Sequence, residues 1–86
     1  MSEEKAVSFR CEDLEVVNDL KQQLNKSIGK EFDREFELEY DGFSWYSFLA
    51  ENSIIANIIF NFLLSKSKNN RELGIREVQI FEDISE

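Results

Sequence analysis

Phe36-Glu37-Leu38-Glu39-Tyr40-Asp41-Gly42-Phe43-Ser44-Trp45-Tyr46-Ser47-Phe48 decides the fold of this chain. Two alternating, aromatic-rich runs meet at Asp41-Gly42. A two-residue type I′ turn needs positive φ at both central positions, which Asp tolerates and Gly prefers. The dipeptide therefore predicts a hairpin with strands over 32–40 and 43–48. In that register Tyr40 faces Phe43, Leu38 faces Trp45 and Phe36 faces Ser47. On the other face Glu39 meets Ser44, Glu37 meets Tyr46 and Glu35 meets Phe48. Trp45 is then expected in the core beside Leu38, and Glu35, Glu37 and Glu39 form a row on the outer face. A slip of one residue reverses every one of these assignments.

On the N-terminal side, residues 6–11 alternate, with Val7, Phe9 and Cys11 on one face, and predict a short strand. Asp13 has the character of an N-cap. Leu14, Val17, Leu20, Leu24 and Ile28 recur at helical spacing, Lys26 and Lys30 suit the C-terminal dipole, and Gly29 reads as the stop. A helix over about 13–28 follows.

On the C-terminal side, a second helix is expected from near residues 50–52 to about residue 68. Ser53, Asn57, Asn61 and Ser65 draw one narrow polar stripe along it, and the rest is apolar. Such a helix is buried on more than one side. The first helix or a second subunit must therefore cover part of it. Residues 66–72 read as a polar loop, and 75–81 as a last strand. The order βαββαβ is the split-βαβ, ferredoxin-like arrangement. It is an α+β fold whose right-handed crossovers place two helices on one face of a four-stranded antiparallel sheet. Residues 6–82 make the single domain, residues 1–5 a disordered tail and 83–86 a frayed one.

The 86 residues leave room for one core, and eight Phe, two Tyr and one Trp are enough to fill it without metal or disulfide. Eighteen acids oppose ten bases, a net charge of −8. That disfavours nucleic acid, whose binding rests on Lys and Arg releasing counterions, and anionic membranes. The apolar run after Phe43 is broken by Glu51, Asn52, Asn57 and Asn61, well short of the ~20 residues a span needs. Met1-Ser2-Glu3-Glu4-Lys5 lacks a signal-peptide apolar region, so the cytoplasm is the expected compartment.

The chain has no His, which removes Ser-His and Cys-His nucleophile systems and the common zinc ligands. Cys11 is alone, and by parity it is a small buried group rather than a reactive thiol. Gly29, Gly42 and Gly74 are isolated, so no phosphate loop exists. The Glu row could hold a divalent cation or do acid–base work, but alternating Glu on a strand is ordinarily its solvated face. No cofactor, metal or catalytic residue is expected.

The segment Ala50-Glu51-Asn52 with Ile55-Ala56 and the later Val78-Gln79-Ile80-Phe81-Glu82 resembles the C-terminal part of pyruvoyl-tetrahydropterin synthase-like proteins. Those enzymes hold zinc through histidines, which this chain lacks, and their preceding elements come in another order. The resemblance implies no activity here.

Tyr46, Phe48 and Phe81 fall by parity on the open sheet face with the Glu row. Alternatively, β-strand three bends at its end and Phe48 turns under the second helix. An RNA-binding sheet displays such aromatics among Lys and Arg, whereas here the surround is acidic. The expected function is therefore a small acidic, non-enzymatic protein-interaction domain: a regulator, an inhibitor or immunity protein, or an accessory subunit. Glu35, Glu37, Glu39, Tyr46, Phe48 and Phe81 are its expected contacts. Its expected partner is a basic protein, a second copy of the chain (a homodimer), or both. The alternative is a dimeric ligand- or cation-binding regulatory domain.

Overall fold

The computed structural model describes residues 4–82. The expected tails at 1–3 and 83–86 lie outside the described residues, and the first strand already begins at Lys5. The elements are β1 (Lys5–Arg10), α1 (Leu14–Leu24), β2 (Leu38–Gly42), β3 (Trp45–Ala50), α2 (Ser53–Asn69) and β4 (Arg76–Glu82). They form one four-stranded sheet in the order β2-β3-β1-β4 with every neighbouring pair antiparallel, an α+β arrangement consistent with the ferredoxin-like fold. Val7, Phe9 and Phe48 on one sheet face share a single core with Val17, Leu20 and Leu24 of α1 and Ile59 and Leu63 of α2. Both helices therefore cover the same face.

Asp13 caps α1 as expected, its Oδ1 accepting the Glu15 N–H at 3.0 Å. The helix does not stop at Gly29. After Leu24 it widens into a π-helical turn over Asn25–Gly29. There the Asn25 amide grips the returning chain: Nδ2 donates to the Phe36 carbonyl at 3.1 Å and Oδ1 accepts the Phe36 N–H at 2.6 Å. A Cβ on Gly29 would sit 2.7 Å from the Arg34 carbonyl oxygen, so glycine is what allows the chain to close on the helix. Residues 34–37 consequently run as irregular chain bound to α1 rather than as the first half of a strand, although Phe36 is still buried in the core.

The hairpin differs from expectation at its turn. Leu38 pairs with Phe48, Glu39 with Ser47 and Tyr40 with Tyr46, three residues out of the anticipated register. The turn is Phe43-Ser44, with φ of +53° and +68°, closed by the Gly42–Trp45 pair. Asp41 is taken up in a bulge, where the register shifts between Tyr40 and Gly42. An odd slip exchanges the faces of β3. Tyr46, Phe48 and Ala50 turn toward the helices, while Trp45, Ser47 and Leu49 turn away. The core selects this register. It sets Phe48 opposite Val7 in β1, and the other set would place the Ser47 hydroxyl at the core's centre. Fully burying a phenyl ring there gains roughly 1.5–3 kcal/mol that a serine does not.

Two L-residues in the left-handed region cost about 1–2 kcal/mol each, and one tie helps hold them: the Ser44 carbonyl accepts the Cys11 N–H at 2.9 Å. Replacing Phe43-Ser44 with Asn-Gly should keep that bond and relieve the backbone. Urea denaturation is expected to show stabilisation by about 1 kcal/mol.

Asn52 caps α2, its Oδ1 accepting the Ile55 N–H at 2.9 Å. At the other end Ser67 Oγ donates to the Ile75 carbonyl at 2.7 Å and ties the helix over the start of β4. Among the described residues no helix is long and apolar enough to cross a membrane.

Candidate protein-interaction face

The sheet face turned away from the helices carries three cross-strand rows, set by the pairing of β1 with its neighbours. Arg76, Arg10 and Trp45 form the first, Gln79, Ser8, Ser47 and Glu39 the second, and Phe81, Ala6 and Leu49 the third. None of these apolar residues belongs to the core cluster. Ser8 and Ser47 are opposed at the centre and buried beneath their larger neighbours. Small residues flanked by large ones make a depression. A groove of ≈ 340 Å³ lies there, walled by Phe43, Trp45 and Phe81, with Ser8, Asp41 and Gly42 completing it. Phe81 is 47% exposed and Phe43, at the hairpin tip, 87%.

The bases on this face are neutralised locally. Arg10 Nη1 lies 3.2 Å from Glu77 Oε2, and Arg76 Nη2 lies 3.2 Å from Glu12 Oε2. These pairs are exposed and contribute little to stability, but among the described residues they leave no bare cation lining the groove. Glu39 and Asp41 make no ion pair among the described residues. The field over the groove is therefore that of the acids.

The expected contacts divide. Phe81 lies on the open face as anticipated. Phe48 is instead fully buried, and its ring lies 6.1 Å from Phe9 in a stacked arrangement. Tyr46 is half-buried on the helix side, 5.9 Å from Phe9 and 5.2 Å from Tyr40. Both corrections follow from the exchanged faces of β3, which also bring Trp45 out of the core. Glu35, Glu37 and Glu39 are all exposed but do not form one strand row. Glu39 stays on the open face, Glu37 precedes β2, and Glu35 borders a polar recess beside α1 with Lys21, Asn25 and Lys26. Among the described residues no three His, Cys, Asp or Glu side chains gather as a metal site would require. Cys11 is buried, its Sγ 3.6 Å from the Leu73 carbonyl.

Phe43, Trp45 and Leu49 were missed as surface residues. One signal in the sequence points to them. In Tyr46-x-Phe48-x-Ala50 no residue is strongly polar at its centre, whereas Trp45-x-Ser47-x-Leu49 has a hydroxyl there. Compared with protein-family profiles, with curated proteins and with solved structures, the chain gives no match.

Proposed function

We propose that this chain is a small non-enzymatic protein-interaction domain, acting as a regulator, inhibitor or accessory subunit. It docks a basic segment of a partner protein on its open sheet face. The observation that carries this reading is the gathering of Phe43, Trp45 and Phe81 around one groove on a helix-free face whose free charges are acidic. Aromatic side chains dominate the centres of protein interfaces. Their rings would anchor an apolar side chain of the partner, while Glu39 and Asp41 meet its Lys and Arg. Glu37, exposed just ahead of β2, extends the same acidic edge. The strain at Phe43 fits this role, because an apolar ring held outward at positive φ does nothing for the core.

The test begins with affinity capture from the native host and continues by calorimetry and stopped-flow with the captured partner. Trp45→Ala should weaken binding by about 2 kcal/mol. A Glu39→Lys, Asp41→Lys double reversal should slow association and flatten its salt dependence with little change in folding. The stabilised Asn-Gly hairpin should bind more weakly than the parent. Glu35→Lys, beside α1, serves as the control. Binding indifferent to both the tryptophan and the charge variants would remove the docking surface from this face.

A further inference from the structure

β4 ends the sheet, and among the described residues no strand pairs with its outer edge. Edge strands expose unpaired backbone groups, and proteins commonly guard them with charge. The opposite edge is guarded in this way. Pairing β2 face-matched with a second β2 brings acids together, Glu39 opposite its own copy or beside Asp41. β4 has no such guard over Val78-Gln79-Ile80-Phe81. A bulge over Glu77 and Val78, which together oppose Phe9 and where Glu77 has φ +56°, distorts the first half of the strand, and residues 79–82 pair regularly with β1.

This edge is complementary to itself. A two-fold axis through Gln79 opposes Val78 to Ile80 twice, Gln79 to its own copy and Phe81 to Glu77. No like charges meet over residues 77–81 in that register. Reciprocal pairing of one patch is what an isologous interface requires.

The helix layer matches. The bond from Ser67 to Ile75 marks the flank of α2 that runs over β4. Phe60 and Leu64, seven and three residues earlier, share that flank at helical spacing, and both are half-buried. α2 packs across β4, β1 and β3, so extending the sheet through β4 sets a second α2 about two to three strand spacings away, roughly 10–14 Å. The near end of that range is the distance at which helices pack. Phe60 and Leu64 then meet their own copies, which covers the second apolar side of a helix apolar nearly all round.

The net charge does not oppose this contact locally. Residues 31–51 hold seven acids and one base, whereas residues 52–81 hold four bases against two acids, Glu72 and Glu77.

We propose that the β4 edge and the Phe60–Leu64 flank of α2 bind a second copy of this chain, joining two four-stranded sheets into one of eight. The interface leaves both aromatic faces pointing the same way, free and side by side. Of its residues only Phe81 also walls the groove, through its side chain rather than its backbone edge, so each can fail without the other.

Sedimentation velocity and light scattering on the purified chain test it. The wild type is expected at twice the chain mass in the micromolar range. Gln79→Lys sets two cations against each other at the axis, and Leu64→Lys charges the helix flank. Together they should raise the dimer dissociation constant at least about tenfold. Gln79→Lys alone, at an exposed position, guards against a folding defect, and its circular dichroism should match the wild type. Amides of residues 78–81 should exchange more slowly as concentration rises. A wild type that stays at the single-chain mass at high micromolar concentration overturns the proposal. A dimer that survives both lysines but dissociates on Trp45→Lys also overturns it, and places the contact on the open face.

Discussion

Truncating Phe48 to alanine is expected to cost about 3–5 kcal/mol of folding stability, while truncating Trp45 costs about 1–2 kcal/mol. Phe48 is fully buried between Val7 of β1 and Leu38 of β2, its ring stacked on Phe9. Its removal leaves a cavity that a sheet pinned on both sides cannot collapse to fill. Trp45 is half-buried on the open face and outside the core, so its loss removes area without opening a void. Urea titration of the two variants reads the difference as a shift of midpoint at constant slope. The ordering matters more than either value. The Asp41-Gly42 turn would reverse it, because that register puts Trp45 inside and Phe48 out. Fluorescence gives an independent check: an indole on the open face should be accessible to acrylamide in the native protein.

Asn25→Ala should destabilise the fold by about 2–4 kcal/mol, although it removes only a polar side chain. The Asn25 amide satisfies both the N–H and the C=O of Phe36, and Nδ2 also donates to the Lys21 carbonyl at 3.0 Å. Its loss strands two backbone groups in a partly buried place, each worth roughly 1–3 kcal/mol when unpaired. Asn25→Asp should fare no better, since a carboxylate cannot donate to the two carbonyls. Gly29→Ala acts on the same junction from the other side. Its Cβ would meet the Arg34 carbonyl oxygen at 2.7 Å and Asn25 Oδ1 at 3.0 Å, and the first is backbone that cannot simply rotate away. A cost of about 1–3 kcal/mol is expected. Both changes release residues 34–37 from α1, so the double variant should lose less than the sum of the singles. Full additivity in thermal or urea unfolding would mean that the two residues act separately.

Local pattern alone was enough for the element order. Asp13 and Asn52 cap their helices because a short polar side chain can reach the free amides of a first turn. Val7, Phe9 and Cys11 are buried because residues two apart share a strand face. From six elements in this order, connection handedness leads to the four-stranded sheet with both helices on one side. That much rests on neighbours in sequence.

Three features rest on contacts between distant residues, and local pattern misjudged each. The turn moved from Asp41-Gly42 to Phe43-Ser44, because the gain from packing Phe48 and Tyr46 on Phe9 exceeds the strain of two left-handed residues. Residues 34–37 left the sheet, because Asn25 and Gly29 offered a better partner for their backbone than β3 did. The candidate face changed occupants as a result, gaining Trp45 and Phe43 while Phe48 and Tyr46 turned inward. A strand's alternation says which residues travel together and cannot say which set faces the core. Only the helices laid against one side of the finished sheet decide that, and here they sorted the aromatics of one hairpin into core and candidate docking surface.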